Sequence, residues 1–421
     1  MLSTLRNAWK IEDLRKRLIF TILMVVVLRL GNFIPVPGID SSVLQDLAKN
    51  QTMFKFYDLI SGGAFSHFSV FAMGVFPYIN ASIIVQLLTI AIPRLEQLSK
   101  EGEDGRKKLN NITRYSAVGL SALQAFSTYA ILANQHALKD TSKLNLFLII
   151  LTLTTASTFL VWLGDQITVK GIGNGISLLI FVNIISRMPT MFYQVATAST
   201  NVVEVVMFIA FMLVLLLSVI IMSLSERRIP VQYAGKTVGN KTFKGQSTHI
   251  PINLNASGVI AIIFAMSVMQ FPSMIGQFWP TGALTKIMLN NKYSPFNQNS
   301  WVYLVIYFFM VIFFTWFYTG VTFKPDEMAE NMHKSSGFIP GIRPGEPTAR
   351  HIGGVLDRIS MIGGIFAGII AVSPMIINNY TKFQGIQFGG TSLLIIVGVA
   401  VEAVRVLESQ LIMRHYQGFL K

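Results

Sequence analysis

The sequence predicts an all-α integral membrane protein whose ten transmembrane helices form two five-helix halves of inverted topology. Three observations predict it. Of 421 residues, 52% are hydrophobic and only 13% are charged, too few charges for a soluble chain of this length. Apolar runs of about 20 residues, enough to cross a hydrocarbon core of roughly 30 Å, recur along the whole chain. The basic residues gather in alternate loops, as orientation by charge requires.

The runs fall at 18–36, 70–92, 113–133, 145–164, 172–190, 203–224, 256–276, 301–320, 359–378 and 391–412. The first follows a basic stretch and imitates a signal peptide. It is long, holds Arg29 and precedes no small-residue cleavage site, so it is expected to stay as the first helix. Ten spans place both termini on one side. That side, with loops 93–114, 165–171, 225–255 and 321–358, carries 25 of the 34 Lys and Arg residues. The other side carries Lys49, Lys55, Lys139, Lys143, Arg187, Lys286, Lys292 and Lys382, and Arg29 lies within the first run. Both termini are therefore expected in the cytoplasm.

Before the second run, Met53–Phe68 is too short to span. It predicts a short helix over Phe54–Ser61 that ends at Gly62-Gly63, because adjacent glycines readily terminate a helix. A full-length helix is then expected from about Val70, so the second element reads as a discontinuous helix with an external half-segment. Broken helices at membrane depth usually line a cavity. Five runs precede the polar segment Arg187–Glu204 and five follow it. The expected organisation is an N-terminal half, 1–190, an external hinge, 191–204, and a C-terminal half, 205–421. An odd number of spans per half inverts one half relative to the other.

Two loops on the basic side, 225–255 and 323–358, are far longer than a turn needs. The Pro- and Gly-rich stretch Ser336–Pro347 restricts the backbone while holding Arg343 outward. These loops read as docking surfaces, or more blandly as positive charge that fixes orientation.

Most chemistry is excluded. With no cysteine there is no disulfide, thiolate metal site or cysteine nucleophile. The histidines at 67, 136, 249, 333, 351 and 415 include no i, i+4 pair, so no zinc site is expected. Gly235-Lys236-Thr237 looks like the end of a phosphate-binding loop, but Pro230 stands where that loop needs glycine. Gly171, Gly173 and Gly175 follow one membrane run and open the next, where structural glycine is the better reading. No Ser-His-Asp set or carboxylate pair lies within the spans. The chain therefore reads as a non-enzyme with neither cofactor nor metal. Few ionisable residues are embedded in the membrane: Arg29 and Asp165 lie near span ends, and Glu402, Arg405 and Glu408 fall toward one end of the last run. With no relay of carboxylates at mid-membrane, a passive conduit fits better than an inverted-repeat secondary transporter, and a poreless scaffold would be favoured only if the purified protein never conducted ions even after deletion of the segment before the second run.

Two stretches, Ser69–Leu88 and Trp162–Ile180, resemble the signature segments of the SecY family of protein-conducting channels. Ile34–Gly38, Glu226–Ala234, Gln246–Pro251, the loop around Arg343 and Phe388–Ile395 are similar to that family as well, so the resemblance covers essentially the whole chain. It implies an hourglass pore between the two halves. It also implies a function, passing unfolded secretory polypeptides across, and releasing apolar helices into, the bacterial cytoplasmic membrane.

By the same resemblance, residues 54–66 are a plug over the external funnel, with Tyr57, Asp58, Leu59, Ile60, Ser61, Gly62, Gly63, Ala64 and Phe65 at its centre. The constriction is a ring of Ile79, Ile83, Ile176, Ile180, Ile263 and Ile395. Ile79 with Ile83, and Ile176 with Ile180, are spaced i, i+4 and so share a helix face. An aliphatic ring conforms around a chain of any sequence and dewets when empty, which obstructs ions. The second and seventh spans are expected to form a lateral gate with polar groups from Gln86 and Asn174. Arg227, Arg228 and Arg343 are the expected contacts for a ribosome or a SecA-type motor ATPase. The remaining implied partners are small helical subunits of the SecE and SecG type, signal peptides, nascent chains and membrane lipid. Four positions depart from the family pattern. Gly235, Asn240 and Asn253 make the first tip loop less basic, and Asn80 replaces a smaller hydroxyl residue.

Overall fold

Each of the ten apolar runs folds into a long helix. The computed structural model describes residues 6, 9–39, 58, 61–134, 137, 138, 142–198, 201–233, 236–238, 241–243, 247–254, 259–278, 294–297, 300–380 and 390–418. The helices are α1 (Glu12–Gly31), α2 (Phe76–Ala91), α3 (Pro93–Lys100), α4 (Glu103–Asn134), α5 (Lys143–Lys170), α6 (Gly175–Ala198), α7 (Val202–Leu224), α8 (Ile260–Phe278), α9 (Trp301–Phe323), α10 (Pro325–Lys334), α11 (Glu346–Tyr380) and α12 (Gly390–Gly418). The strands are β1 (Glu226–Tyr233), β2 (Lys236–Val238), β3 (Lys241–Phe243), β4 (Ser247–Asn253) and β5 (Gly337–Phe338).

Local sequence sets several of the boundaries. Ser142, Asn201 and Ser300 cap α5, α7 and α9 by accepting from the amides of Asn145, Val203 and Val302, which satisfies donors that a helix start leaves open. Lys324, at φ 38°, and Pro325 together separate α9 from α10. Among the described residues, α5, α6, α7, α9 and α11 are each long and apolar enough to cross a membrane alone, and α2 with α3 adds a sixth only as a pair bent by 101°. Charges in the first two turns keep α1 from passing that test. Along α7, Val203, Val206, Leu213, Val214, Leu217 and Ile221 are all exposed. In water this would be a large apolar patch, whereas in lipid it is an ordinary surface. The chain is an all-α, multi-pass membrane protein with a small β element.

The second span departs from expectation. Its helix starts at Phe76, not near Val70, and Ser61–Val75 runs mostly in turns. Phe68 at φ 42° and Gly74 at φ 57° leave the helical region. The backbone there bonds to neighbours instead: the Val36 amide donates to the Phe68 carbonyl at 3.0 Å and the Val70 amide to the Ile34 carbonyl at 2.8 Å. Ser157 Oγ donates to the Gly74 carbonyl at 2.7 Å. Irregular backbone survives at membrane depth only when satisfied in this way. The expected half-helix at 54–61, including Tyr57, Leu59 and Ile60, lies outside the described residues apart from Asp58 and Ser61.

The loops depart too. Helix α11 has 35 residues and begins at Glu346, well before the apolar run at 359, and α4 and α5 likewise extend past their runs. Hydropathy reports where lipid ends, and a helix can continue beyond it in water. The loop at 225–255 contains a hairpin. β1 pairs antiparallel with β4 from Glu226↔Asn253 to Gln232↔Ser247, and β5 joins the other edge of β1 only at Gln232 and Tyr233, beyond Pro230, which has no amide to donate. Ile229, Val231 and Ile252 of the hairpin share one buried cluster with Met332 of α10, Ile339, and Ile352, Leu356 and Ile359 of α11. The two long loops thus fold into one unit.

The extensive contacts between described helices fall within α1–α6 or within α7–α12, with α6 on α12 and α4 on α8 joining the two groups. The main apolar clusters follow the same division with two exceptions. Ile83 of α2 is buried in the α7–α12 cluster, and Ile395 of α12 is buried in the cluster formed with α5 and α6.

Candidate functional site

Between the two groups lies a cavity of about 860 Å³. Ile79 and Ile83 from α2, Ile176 and Ile180 from α6, Ile263 from α8 and Ile395 from α12 all line it. Four helices therefore bring together six side chains that are as many as 316 positions apart in sequence. The cavity changes character along α12. Below Ile395 its wall continues through Val401, Glu402, Arg405, Val406 and Ser409, about 21 Å of helix at 1.5 Å per residue. Ser223 and Asn253, at the base of the hairpin, also line it. The polar groups thus gather at the hairpin end and the isoleucines toward the other.

Gln86 and Asn174 line the same cavity. Asn174 has a second task, as its Oδ1 accepts from the Ile176 and Ser177 amides at 3.1 and 3.2 Å and so caps α6. The corner it occupies is tight. A Cβ on Gly175 would sit 2.0 Å from the Gly164 carbonyl oxygen, so only glycine lets α6 turn against α5 there. This is the structural role expected of the glycine run, and it orients Ile176 and Ile180 into the cavity.

At the isoleucine end, the Ser61–Val75 turns pack over the wall. Ala64, fully buried, belongs to the cluster containing Ile180 and Ile395, while Phe65 packs in a neighbouring cluster with Phe68 and Tyr129. Asp58 is 4% exposed and forms an ion pair with Arg187 of α6. Around these, Asn32 Nδ2 donates to the Ser61 carbonyl and to Asn183 Oδ1, both at 3.2 Å.

The basic residues expected to meet partners are exposed. Arg343 lies in the loop before α11, its carbonyl held by Thr348 Oγ1 at 2.8 Å. Arg227 and Arg228 are adjacent on β1, so they project from opposite faces of the ribbon and do not form one patch. Arg228 Nε bonds Glu226 at 2.7 Å. The ionisable residues of the spans find local explanations: Arg29 bonds Ser186 Oγ at 2.8 Å, and Asp165 pairs with Arg114 at 2.6 Å.

Sequence reasoning passed over three features. Glu402, Arg405, Val406 and Ser409 are spaced i, i+3, i+4, i+7, a single helix face that periodicity alone could have found. Ser267 Oγ of α8 donates to Asn80 Oδ1 of α2 at 3.2 Å, a polar link between the second and seventh spans that needed the tertiary fold to be seen. Arg187, counted only as an external positive charge, proves to be the partner of Asp58.

A SecY family profile matches residues 69–404. The protein translocase subunit SecY of Corynebacterium glutamicum is 40% identical over 444 residues, covering 100% of both chains. That of Mycobacterium tuberculosis is 41% identical over 444 residues with the same coverage, and that of Streptomyces coelicolor 40% over 446. Among solved structures, a protein-conducting channel superposes with a TM-score of 0.67 at 18% identity, covering 94% of this chain and 92% of the other. Sec61 in the canine ribosome-channel complex superposes at 0.63 with 17% identity and the same coverage. The fold is shared with those channels, and by full-length sequence similarity this chain belongs to the SecY family.

Proposed function

We propose that the chain is the pore-forming subunit of a bacterial protein translocase. It conducts unfolded polypeptides across the cytoplasmic membrane and releases apolar helices sideways into lipid. One observation carries this: six isoleucines from four helices converge on one cavity, and the turn-rich segment packs in the same apolar cluster as two of them, Ile180 and Ile395. The polar mouth at the hairpin end admits a chain, the isoleucine collar fits around it, and residues 54–66 are the plug. The two groups α1–α6 and α7–α12 are the two halves, and α2 and α8 form the lateral gate between them, where Asn80, Ser267, Gln86 and Asn174 supply polar groups.

Both termini and the hairpin face the cytoplasm in this reading, which puts Arg227, Arg228 and Arg343 where a ribosome or a motor ATPase would dock. The canine Sec61 structure was determined in a complex with a ribosome, which supports the first of these partners. The chain itself has no nucleotide-binding motif, so energy for movement comes from a partner and the subunit performs no catalysis. Exposed apolar faces such as that of α7 would meet lipid or small helical subunits of the SecE and SecG type.

The absence of native cysteine makes the test direct. A single cysteine at Ile83, with a translocation substrate stalled in transit and carrying one cysteine, should form a disulfide across the collar. The same substrate should not reach a cysteine at the exposed position Val214. Equal cross-linking at both positions, or none at Ile83, would rule out a chain passing through the collar.

A further inference from the structure

Asn183 and Arg187 stand four residues apart on α6, so they project from one helix face. Each lies over one glycine of the Gly62-Gly63 pair. A Cβ on Gly62, at φ 70°, would come within 2.8 Å of Asn183 Oδ1, and one on Gly63, at φ 92°, within 3.0 Å of the Arg187 guanidinium carbon. Paired glycine here makes room for two side chains. Arg187 then reaches across to Asp58, with a longer contact of 3.5 Å to Ser66 Oγ. The Asp58 carboxylate accepts the Ser66 amide at 2.7 Å through its other oxygen, and so closes the turn on itself. From the opposite side, Asn32, just past α1, holds the Ser61 carbonyl and Asn183.

We infer that Asn32, Asn183 and Arg187 form a polar lock on segment 58–66, that Asp58 is its bolt, and that pore opening requires the bolt to be withdrawn. The inference rests on the plug reading above and adds the residues that set the closed population. Apolar contact alone would let the segment slide or tilt. A buried carboxylate shared between a guanidinium and a backbone amide has one satisfied geometry, and removing one member leaves a buried charge without its partner. Water can replace these bonds once the segment moves outward, so the lock is strong when shut and releases into solvent without leaving polar groups stranded.

The experiment is resting ion flux through the full chain reconstituted in liposomes. It compares the parent, Asp58→Asn, Arg187→Gln, the exchange Asp58→Arg with Arg187→Asp, and deletion of residues 57–65. Each single substitution should raise the leak by roughly tenfold or more, the response of a two-state equilibrium to loss of one buried charged partner. The exchange restores the ion pair but not the bond from the Ser66 amide, so it should recover part of the seal, which also shows that the altered side chains fold. Single variants that seal like the parent while the deletion leaks would overturn the lock and leave the plug standing. An exchange that leaks as much as the single variants also overturns the lock. A deletion that seals as well as the parent would remove the plug reading itself, and the lock with it.

Discussion

Isoleucine suits the collar because its branched Cβ holds χ1 to few rotamers, giving a stiff apolar rim that presents no hydrogen-bonding group to a passing chain. In the proposed gate, the polar residues beside it would set how easily α2 and α8 separate. Replacing Asn80 with leucine removes its bond to Ser267, a link worth about 0.6 to 2 kcal/mol inside lipid. That is roughly a threefold to thirtyfold shift toward an open gate. Gln86→Leu should act in the same direction. A secretion reporter bearing signal sequences of graded hydrophobicity would read the effect as export of weaker signals, and an unchanged threshold would remove Asn80 from the gate. Gly175→Ala tests a different property. The added methyl meets the Gly164 carbonyl, and overpacking of this kind should cost about 1–3 kcal/mol, seen as earlier thermal unfolding of the detergent-solubilised protein.

At the scale of elements, the hairpin, α10, β5 and the start of α11 stand or fall together because they share one core. Ile252→Ala should destabilise that unit by about 2–4 kcal/mol, and limited proteolysis should then cut the hairpin before any membrane helix. Arg343→Glu should abolish motor-driven export while the variant chain still inserts normally, and undiminished export would dissociate that loop from motor docking. The positions of the ten spans were legible because an apolar run of membrane length has few other uses. The hairpin was hidden because Pro230 and the charges around Ile229 and Val231 mask a period-two pattern that becomes apolar only against α11. The start of α2 at Phe76 was hidden for a related reason: Val70–Val75 is apolar enough for a helix, and its conformation is decided by bonds to Ile34, Val36 and Ser157 far away in sequence. The collar was legible as i, i+4 isoleucine pairs only through resemblance, since the same spacing serves any helix core.

For the whole molecule, two groups of helices with separate cores meet along few surfaces, chiefly α6 on α12 and α4 on α8. Separate polypeptides 1–199 and 200–421 should therefore reassemble when coexpressed and restore export at a reduced level, measured by complementation of a depleted strain. Failure of both fragments to accumulate together would mean that the connection is needed for folding. Two of the residues that cross between the groups, Ile83 in one direction and Ile395 in the other, belong to the proposed collar, so separating the halves there would also widen it.

Helix α11 adds a mechanical side to that movement. It runs unbroken for 35 residues, about 52 Å, with one end in the core of the hairpin unit and the other along α9 and α8. A rod of that length is a lever. A partner that tilts its outer end by only about 5° displaces the inner end by roughly 4 to 5 Å, close to the width of a side chain. Spin labels at Arg350 and Ile376 should report this as a rigid rotation with their separation conserved when a partner docks. A change in that separation would instead show α11 bending, and force entering the membrane by another route.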